Sequence, residues 1–492
     1  MKVNAQPNCK LIYGEPVEPI VNSKLSNCKL NGAICAPATA TGGALGIIRI
    51  SGVQSLEILS HIFTKDVTQA LPNTIHHGHI INKVGCPPID EVLVSVFRAP
   101  HSYTGEDSAE ISCHGSQYIL NKVLELLCQN GCRMANPGEF TQRAYLNGKL
   151  DLSQAEAVAD LIASTNRATH QMAMSQLRGH FSSRLAQLRE QLLKLTSLLE
   201  LELDFSDHED LEFADRSELF DLAKEIDTHI TELARSFEIG QVLKQGIPVA
   251  IVGKTNVGKS TLLNALLKDD RAIVSDIHGT TRDTIEDTID INGVTFRFID
   301  TAGIRQTTDT IEQIGINRTY AAIDKARIVL WLIDAEPSAA EVEDLQSRCA
   351  GKSLIIIRNK ADLVDRTMFN VQCSMFNVLS ISAKTGYNID KLESQLFEAA
   401  NIPEITENDI IVTNARHYDA LLRAHDSIQR VIEGMGAKMV NGQWSMVNPS
   451  LSGDLLSEDL RHTLDILAEI TGGQITPNEV LGNIFKNFCI GK

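Results

Sequence analysis

The chain has 492 residues, of which 43% are hydrophobic and 22% charged, so collagen-like, low-complexity and wholly disordered chains are excluded. Its 45 lysines and arginines against 62 aspartates and glutamates give a net charge of −17, which disfavours a broad nucleic-acid-binding surface but permits local contact. No run reaches the roughly 18 apolar residues of a membrane span, and the ten scattered cysteines lack zinc-type spacing, which predicts reduced thiols in a cytoplasmic protein.

The first part of the chain predicts a small α+β domain behind a polar extension. Residues 1–30 contain three prolines and no signal-peptide core, and we interpret them as an extension of unknown order. Residues 31–150 then combine strand patterns with helical ones. The predicted strands are Gly46–Ile50, Glu91–Phe97 and Glu110–Cys113, and a helix is predicted over Gln117–Gln129.

Residues 151–245 are typical of helices. Ser153 and Glu156 have the spacing of a capping box, and residues 153–201 contain no proline and one glycine, Gly179. This pattern predicts either one very long helix or two stacked ones.

Residues 246–400 alternate apolar strand patterns with helices, which predicts a mostly parallel sheet covered on both faces. The five strand patterns are residues 247–252, 294–299, 328–333, 354–357 and 378–381. Residues 401–492 are helical again. We therefore predict a multidomain α/β plus α protein, in which residues 151–245 and 401–492 pack together as one helical domain interrupted by an α/β domain.

The segment Gly253–Ser260 fits the pattern G-x4-G-K-[ST] between an apolar strand and a helix predicted over Ser260–Lys268. In this context backbone N–H groups and the helix N-terminus surround phosphate oxygens. Lys259 is expected to reach the β- and γ-phosphates, and the Ser260 hydroxyl to ligate Mg²⁺.

Three further motifs follow predicted strands and together predict a Ras-like GTPase domain. Asp300–Gly303 is placed to sense Mg²⁺ and the γ-phosphate. The carboxylate of Asp362, in the motif Asn359–Asp362, can accept hydrogen bonds from guanine N1–H and N2–H, which adenine does not offer. The backbone of Ser382–Lys384 is placed to hold guanine O6.

Switch-region residues refine the mechanism. Ile304 stands where many small GTPases carry a water-orienting glutamine, so another group must orient the attacking water. Thr281, in the segment Gly279–Asp283, is expected to complete Mg²⁺ coordination. The Asn256 amide oxygen lies near the phosphates, where two roles remain open: a monovalent-cation ligand, or a hydrogen bond within the loop.

The full set of residues assigned to GTP comprises five segments of the chain. They are Asn256, Val257, Gly258, Lys259, Ser260 and Thr261; Ser275, Asp276, Ile277, His278, Gly279, Thr280 and Thr281; Asp300, Thr301, Ala302 and Gly303; Asn359, Lys360 and Asp362; and Ser382, Ala383 and Lys384.

Motifs outside the GTPase segment are more specific still. The chain ends in Cys489-Ile490-Gly491-Lys492, and other matches stand at 49–52, 104–107, 137–144, 147–152, 470–472 and 481–485. On these motifs, which extend over nearly the whole chain, the sequence resembles the MnmE-type (TrmE-type) tRNA-modification GTPases. The resemblance implies a folate-binding N-terminal domain and a helical domain interrupted by the GTPase domain.

The resemblance implies a K⁺-activated GTPase that forms a homodimer through its N-terminal domains and pairs its GTPase domains during turnover. By match, the K⁺ ligands are Asn256, Ser275, Ile277 and Thr280. The glutamate that orients the attacking water through a bridging water is Glu312, for which the residues alone favour a solvated helix carboxylate.

The resemblance also implies a chemistry and a partner. An FAD-dependent MnmG-like protein is the implied partner in a heterotetramer, which acts on tRNA directly or through that partner. Together they install an aminomethyl or carboxymethylaminomethyl group at C5 of the wobble uridine, with the one-carbon unit supplied by a 5-formyl or methylene tetrahydrofolate.

By match, the folate site uses Arg49, Glu110, Lys149 and Lys492. The residues alone favour a salt bridge for Arg49 and Glu110 and helix capping for Lys149. Cys489 is either a catalytic thiol or a structural cysteine.

One departure and two rival functions complete the interpretation. Residues 39–44 read TATGGA where many members carry Pro-Pro-Gly-Arg-Gly-Gly, so any contact by that arginine is lost here. The first alternative function is a GTPase switch in ribosome assembly without base chemistry. The second is a folate-binding scaffold with a vestigial GTPase, and the presence of all the GTPase motifs argues against it.

Overall fold

The computed structural model describes residues 32–82, 85, 87–204, 216–267, 287–299, 320–334, 337–363, 378–402, 406, 409–435, 437–440, 443–446, 453–473, 488 and 491. The chain divides into two compact units. The first comprises residues 1–159 and 471–492, and the second comprises residues 160–470. Among the described residues, no helix is both long enough and apolar enough to cross a membrane.

The first unit is built on a six-stranded sheet with the strand order β3-β4-β5-β2-β1-β6. Its strands are β1 (Ile34–Pro37), β2 (Leu45–Ser51), β3 (Thr74–Ile80), β4 (Asp90–Phe97), β5 (Ser108–His114) and β6 (Arg133–Met134). Its helices are α1 (Ser55–Ile62), α2 (Gln117–Gln129) and α3 (Glu139–Leu146). The three predicted strands and the α2 helix are confirmed, with strand ends shifted by at most two residues.

The two faces of this sheet differ because side chains alternate along each strand. One face carries buried residues such as Ile50 and Ile111, which pack against apolar side chains of α1 and α2, among them Leu59 and Leu120. The other face carries Arg49 and its cross-strand neighbours. The α+β prediction for this domain is therefore confirmed.

The helix α4 (Leu152–Ala163) begins one residue before the predicted capping box. The Asp151 carboxylate accepts a hydrogen bond from the Gln154 amide (2.9 Å), and the Gln154 side chain accepts one from the Asp151 amide (3.0 Å). The capping pair is thus Asp151 and Gln154. The assignment to Ser153 and Glu156 is wrong, because the helix already begins at Leu152 and the aspartate two residues before Ser153 makes the capping bonds.

The helical stretch is also divided more finely than predicted. Three helices replace one or two: α4, α5 (Arg167–Leu177) and α6 (His180–Asp204). The first break is stabilised by Asn166, whose side chain accepts from the Thr169 amide and starts a new helix. The second lies at Gly179, where φ is +84°, a conformation that ends helices and favours glycine.

The second unit contains a six-stranded sheet with the order β12-β11-β10-β7-β9-β8. Its strands are β7 (Ile247–Gly253), β8 (Asp287–Ile291), β9 (Val294–Phe298), β10 (Ile328–Ile333), β11 (Ser353–Arg358) and β12 (Val378–Ser380). All pairings are parallel except β8 with β9, which confirms the predicted mostly parallel sheet. Helices on this sheet are α8 (Lys259–Leu267), α9 (Ala339–Arg348) and α10 (Ile389–Ala400).

Long helices from both sides of this segment share one core. They are α6, α7 (Arg216–Gln245), α11 (Ala415–Gly434) and α12 (Gly453–Thr471). Leu188, Ile226, Leu421 and Ile466, one from each helix, are buried in the same cluster. A short hairpin of β13 (Ala437–Val440) and β14 (Gln443–Met446) joins α11 to α12.

The helix α5 attaches this bundle to the edge of the parallel sheet. The side-chain amide of Asn166 donates to the Thr295 hydroxyl on β9 (2.7 Å). The backbone amide of Ala168 donates to the Gly293 carbonyl in the β8–β9 turn (3.1 Å). Ala168 and Met172 are buried in the core of the α/β segment. The hairpin that separates the two predicted switch segments is therefore held by the helical part of the same unit.

Candidate functional site

The phosphate-binding loop lies between β7 and α8, as the motif predicts. Three of its residues have positive φ: Gly253 at +150°, Asn256 at +61° and Gly258 at +99°. These turns lead the loop into the N-terminus of α8, and the N–H groups at the start of a helix favour an anion. Lys259, the first residue of that helix, donates through Nζ to the Gly253 carbonyl (2.6 Å), and burial lowers the pKa of its ammonium group.

Gly258 is required by close packing as well as by its backbone angle. A Cβ atom built on it would lie 2.3 Å from Nδ2 of Asn359, a distance that no side chain tolerates. Any substitution at this position therefore has to displace Asn359.

Asn359 joins three motifs into one site. Its Nδ2 donates to the Val257 carbonyl in the phosphate loop (2.8 Å), and its Oδ1 accepts from the Ala383 amide (3.0 Å). The side chain is 5% exposed, so these bonds form in a water-poor setting where they are strong. Asn359 thus fixes the phosphate loop against the two loops that follow β11 and β12.

Asp362 presents the carboxylate that the sequence assigns to guanine. It is exposed, and the Ser382 hydroxyl donates to its Oδ1 (2.6 Å). That bond is the main cause that lowers the pKa of Asp362, so the carboxylate is ionised and accepts hydrogen bonds at neutral pH. Lys384 lies in the same loop as Ser382. The structure therefore brings the phosphate loop, Asn359–Asp362 and Ser382–Lys384 to the carboxyl edge of one parallel sheet, where open α/β sheets bind ligands.

A second polar site lies on the open face of the first unit's sheet. Arg49 and Glu110 stand directly opposite each other on β2 and β5. Arg49 donates through Nε (3.0 Å) and Nη2 (2.7 Å) to Oε1 of Glu110. The rings of Tyr103 and Phe140 lie 5.5 Å and 5.7 Å from the guanidinium carbon, at the upper end of cation–π range.

The remaining donor of Arg49 contacts the far end of the chain. Its Nη1 donates to the carbonyl of Gly491 (3.1 Å). The Lys149 ammonium donates to the Pro100 carbonyl (3.1 Å), at the start of the loop that carries Tyr103. Burial raises the pKa of Tyr103, whose hydroxyl hydrogen-bonds with that of Thr141.

This second site matches the sequence prediction in part. Arg49 and Glu110 form the salt bridge that the residues alone favoured, while Lys149 does not cap a helix through its side chain but contacts a loop carbonyl. Lys492 and Cys489 lie outside the described residues. A small apolar cluster of Leu152 and Ala155, with Phe488 packed on it, holds the chain near its end.

Known proteins resemble this chain over nearly its whole length. Residues 33–149 match the family described as GTP-binding protein TrmE N-terminus, and residues 152–489, more than half of the chain, match the MnmE helical domain. The tRNA modification GTPase MnmE of Phocaeicola vulgatus is 54% identical, over 93% of this chain and 98% of its own length. That of Bacteroides fragilis is 55% identical, over 93% of this chain and 99% of its own length.

The chain belongs to the MnmE family of tRNA modification GTPases. It is accordingly a GTP hydrolase. The recognition of an MnmE-type chain from its motifs is confirmed, as is the fold class.

Several predicted MnmE-type site residues lie outside the described residues. These are Ser275, Asp276, Ile277, His278, Gly279, Thr280, Thr281, Asp300, Thr301, Ala302, Gly303 and Glu312. The Mg²⁺ role of Thr281, three of the four K⁺ ligands and the role of Glu312 therefore stay predictions.

Two features of the sites were missed from sequence. The bridging role of Asn359 requires knowledge of three loops at once, although its place at a strand end beside the phosphate motif was visible. The contact between Arg49 and Gly491 joins residues 442 positions apart. The resemblance had already assigned Arg49 and Lys492 to one site, but the residues themselves gave no signal for a bond to Gly491.

Proposed function

We propose that this chain is a K⁺-activated GTPase that works with an FAD-dependent MnmG-like partner on tRNA. The pair installs an aminomethyl or carboxymethylaminomethyl group at C5 of the wobble uridine, using the one-carbon unit of a 5-formyl or methylene tetrahydrofolate. The observation that carries the proposal is the presence of two separate sites in one chain: the loops joined by Asn359, and the Arg49–Glu110 pair fastened to the C-terminal segment.

The residues around Arg49 suit a folate. Glu110 keeps its Oε2 atom without a bond to Arg49, which suits an acceptor for pterin N–H groups. Tyr103 is 39% exposed and offers an aromatic surface beside the pair. Lys149 and Lys492 would supply cations for the folate carboxylates, and Cys489 is a candidate thiol for carrying a one-carbon adduct.

The open sheet face supports the proposed homodimer. Leu45, Ile75 and Leu93 lie on the face that carries Arg49 and are 68%, 67% and 47% exposed. Apolar side chains grouped on one sheet face indicate an interface. A cytoplasmic homodimer that binds the MnmG-like protein is the assembly we propose, with tRNA bound directly or through that partner.

The metal ions are assigned as follows. Ser260 and Thr281 would ligate Mg²⁺, and Asn256, Ser275, Ile277 and Thr280 would ligate K⁺. Asn256 suits this role because it is an exposed residue of the phosphate loop and its side chain carries an amide oxygen. Bound K⁺ would supply positive charge to the γ-phosphate as hydrolysis proceeds, and Glu312 would orient the attacking water.

Replacing Na⁺ by K⁺ is expected to raise the GTP turnover number by at least about tenfold, because the cation stabilises charge that develops only in the transition state. The measurement is phosphate release at equal ionic strength. Asn256→Gly is the matched variant, since glycine adopts positive φ freely while removing the amide oxygen. We expect that variant to lose the K⁺ response. Equal turnover of wild type in the two salts would refute the K⁺ assignment.

The function itself is tested by mass spectrometry of tRNA nucleosides from a host strain lacking this chain. Complementation with wild type is expected to restore a C5-modified wobble uridine, and complementation with Lys259→Ala is not, because that variant loses the ammonium contact to the phosphates. Glu312→Ala separates nucleotide binding from hydrolysis. An unchanged nucleoside profile in the deletion strain would overturn the modification role and favour a GTPase switch in ribosome assembly.

A further inference from the structure

Two aromatic rings lie beside the guanidinium of Arg49, and they differ in exposure. The ring of Phe140 lies 5.7 Å from the guanidinium carbon and is fully buried, whereas the ring of Tyr103 lies 5.5 Å away and is 39% exposed. An exposed ring beside a charged pair offers a flat apolar surface to a ligand. Of these two rings, Tyr103 is therefore the one that can contact a molecule bound at Arg49 and Glu110.

The hydroxyl of Tyr103 is held by a threonine of the helix α3. Its oxygen lies 2.8 Å from Oγ1 of Thr141, which is fully buried. A β-branched side chain has few rotamers, so a buried threonine is a fixed point of attachment. A tyrosine ring turns about two side-chain torsions, and a hydrogen bond at its far end restricts both. Thr141 thus determines how the exposed ring is oriented.

The backbone of the loop that carries this ring is fixed separately. The loop comprises residues 98–107, between β4 and β5. The side-chain amide of Asn147 donates to the Thr104 carbonyl (2.7 Å), and Arg143 donates to the Glu106 carboxylate (3.0 Å). Both donors belong to α3 or to the residue that follows it. Loss of the threonine hydroxyl would therefore free the ring without releasing the loop.

We propose that Thr141 is a positioning residue that holds the Tyr103 ring as the surface on which the pterin of a tetrahydrofolate stacks. This inference rests on the proposed folate function. A pterin whose N–H edge bonds to Glu110 also lies beside Arg49, and the adjacent tyrosine ring contacts the face of its flat pyrimidinone ring. Such rings prefer offset stacking. A tyrosine ring fixed in advance loses less side-chain freedom on binding, so its contact contributes more to affinity.

Calorimetry with 5-formyltetrahydrofolate tests this role. Thr141→Val keeps the shape of the side chain without its hydroxyl, and Tyr103→Phe removes the other end of the same bond. We expect each to bind about fivefold more weakly than wild type, a factor typical of one hydrogen bond. Thr141→Ser keeps the hydroxyl and is expected to bind as wild type does. Tyr103→Leu is expected to lose about thirtyfold, because the stacking surface is lost as well.

The double variant gives the sharper test. Because both single changes remove the same bond, Thr141→Val combined with Tyr103→Phe is expected to bind within about twofold of either single variant. Losses that multiply to about 25-fold, or wild-type affinity in both single variants, would overturn the positioning role. Equal affinity of Tyr103→Leu and Tyr103→Phe would overturn the stacking surface.

Thr196→Val is the matched control for the loss of a buried threonine hydroxyl. Thr196 is 6% exposed, and its hydroxyl donates to the Leu192 carbonyl (2.8 Å) in the second unit. We expect this variant to bind 5-formyltetrahydrofolate as wild type does. Weaker binding of this control, by the same factor as Thr141→Val, would overturn the assignment of the effect to the Tyr103 ring.

The position of the ring is measured without folate, by nuclear magnetic resonance of protein labelled with carbon-13 in its tyrosine rings. The Tyr103 signal is the one that Tyr103→Phe lacks. We expect Thr141→Val to move that signal toward the position of tyrosine in an unfolded peptide, and Thr196→Val to leave it in place. An unmoved signal in Thr141→Val would overturn the positioning role. Failure of wild type to bind folate would instead refute the folate proposal, and the ring signal distinguishes the two failures.

Discussion

Asp362→Asn is expected to lower the affinity for GTP by about 10³-fold while creating affinity for xanthosine triphosphate. The carboxylate offers acceptors for both guanine N1–H and N2–H, whereas an asparagine presents one acceptor and one donor. The amide N–H groups then face the N2–H of guanine, and the unmatched donors are costly. Xanthine carries an oxygen at C2, which accepts from the asparagine amide.

The measurement is equilibrium binding of each nucleotide, with Asp390→Asn as the control. Asp390 is an exposed aspartate in the first turn of α10, which follows the Ser382–Lys384 loop. We expect that control to bind GTP as wild type does. Wild-type GTP affinity in Asp362→Asn would mean that the base is recognised elsewhere in the molecule.

Arg143→Met is expected to destabilise the first unit by about 1–3 kcal/mol, because it removes the ion-pair partner of Glu106 and one of the two arginines that pair with the buried Glu139, the other being Arg133. Arg143 and Glu139 are 2% and 1% exposed. Arg143 donates to Glu106 (3.0 and 3.2 Å), to Glu139 (3.1 Å) and to the Gly32 carbonyl (3.1 Å). Methionine retains much of the side-chain volume, so the expected loss is mainly electrostatic.

The measurement must observe the first unit directly. The first unit contains neither of the chain's two tryptophans, so tryptophan fluorescence is not the chosen measurement. Hydrogen exchange of peptides from β2 and β5 at increasing urea measures the stability of the first unit directly. Lys122→Ala is the control, because Lys122 pairs with Glu125 on the surface, and it is expected to have a much smaller effect.

Lowering the pH should reduce the difference in free energy of unfolding between Arg143→Met and wild type. Burial acts to raise the pKa of Glu139, but hydrogen bonds from Arg133, the Asn136 amide and Arg143 outweigh it, and the pKa is lowered. The stabilisation from a lowered carboxyl pKa is present above its unfolded-state value of about 4.3 and is lost as the pH falls through the folded-state value. A difference that stays constant down to pH 3 would contradict this account.

The helix α5 and the β8–β9 hairpin place the GTPase segment in mechanical contact with the helical bundle. The hairpin lies between the two predicted switch segments, and it is bonded to Asn166 and Ala168. The same helix also packs on α6 and α7. These contacts connect the GTPase sheet directly to the helical bundle within one compact unit.

What the sequence by itself determined was local or periodic. The phosphate loop, the guanine motifs at strand ends and the order of strands and helices followed from short motifs and hydrophobic patterns, because parallel strands bring their carboxyl ends to one edge. The family followed from motifs spread along nearly the whole chain. Each of these motifs and patterns is made of residues close together in the chain.

Only the tertiary structure decided two kinds of feature. One is the choice between similar local signals, and the other is a contact between segments far apart in the chain. Asp151 rather than Ser153 caps α4 through its bonds to Gln154. Asn166 starts an unexpected helix, and its side chain also bonds Thr295 on a neighbouring strand. The hydrogen bond from Arg49 to the Gly491 carbonyl joins residues 442 positions apart. Such contacts form only when folded strands and packed helices bring the segments together, and no short sequence pattern encodes a contact between residues so far apart in the chain.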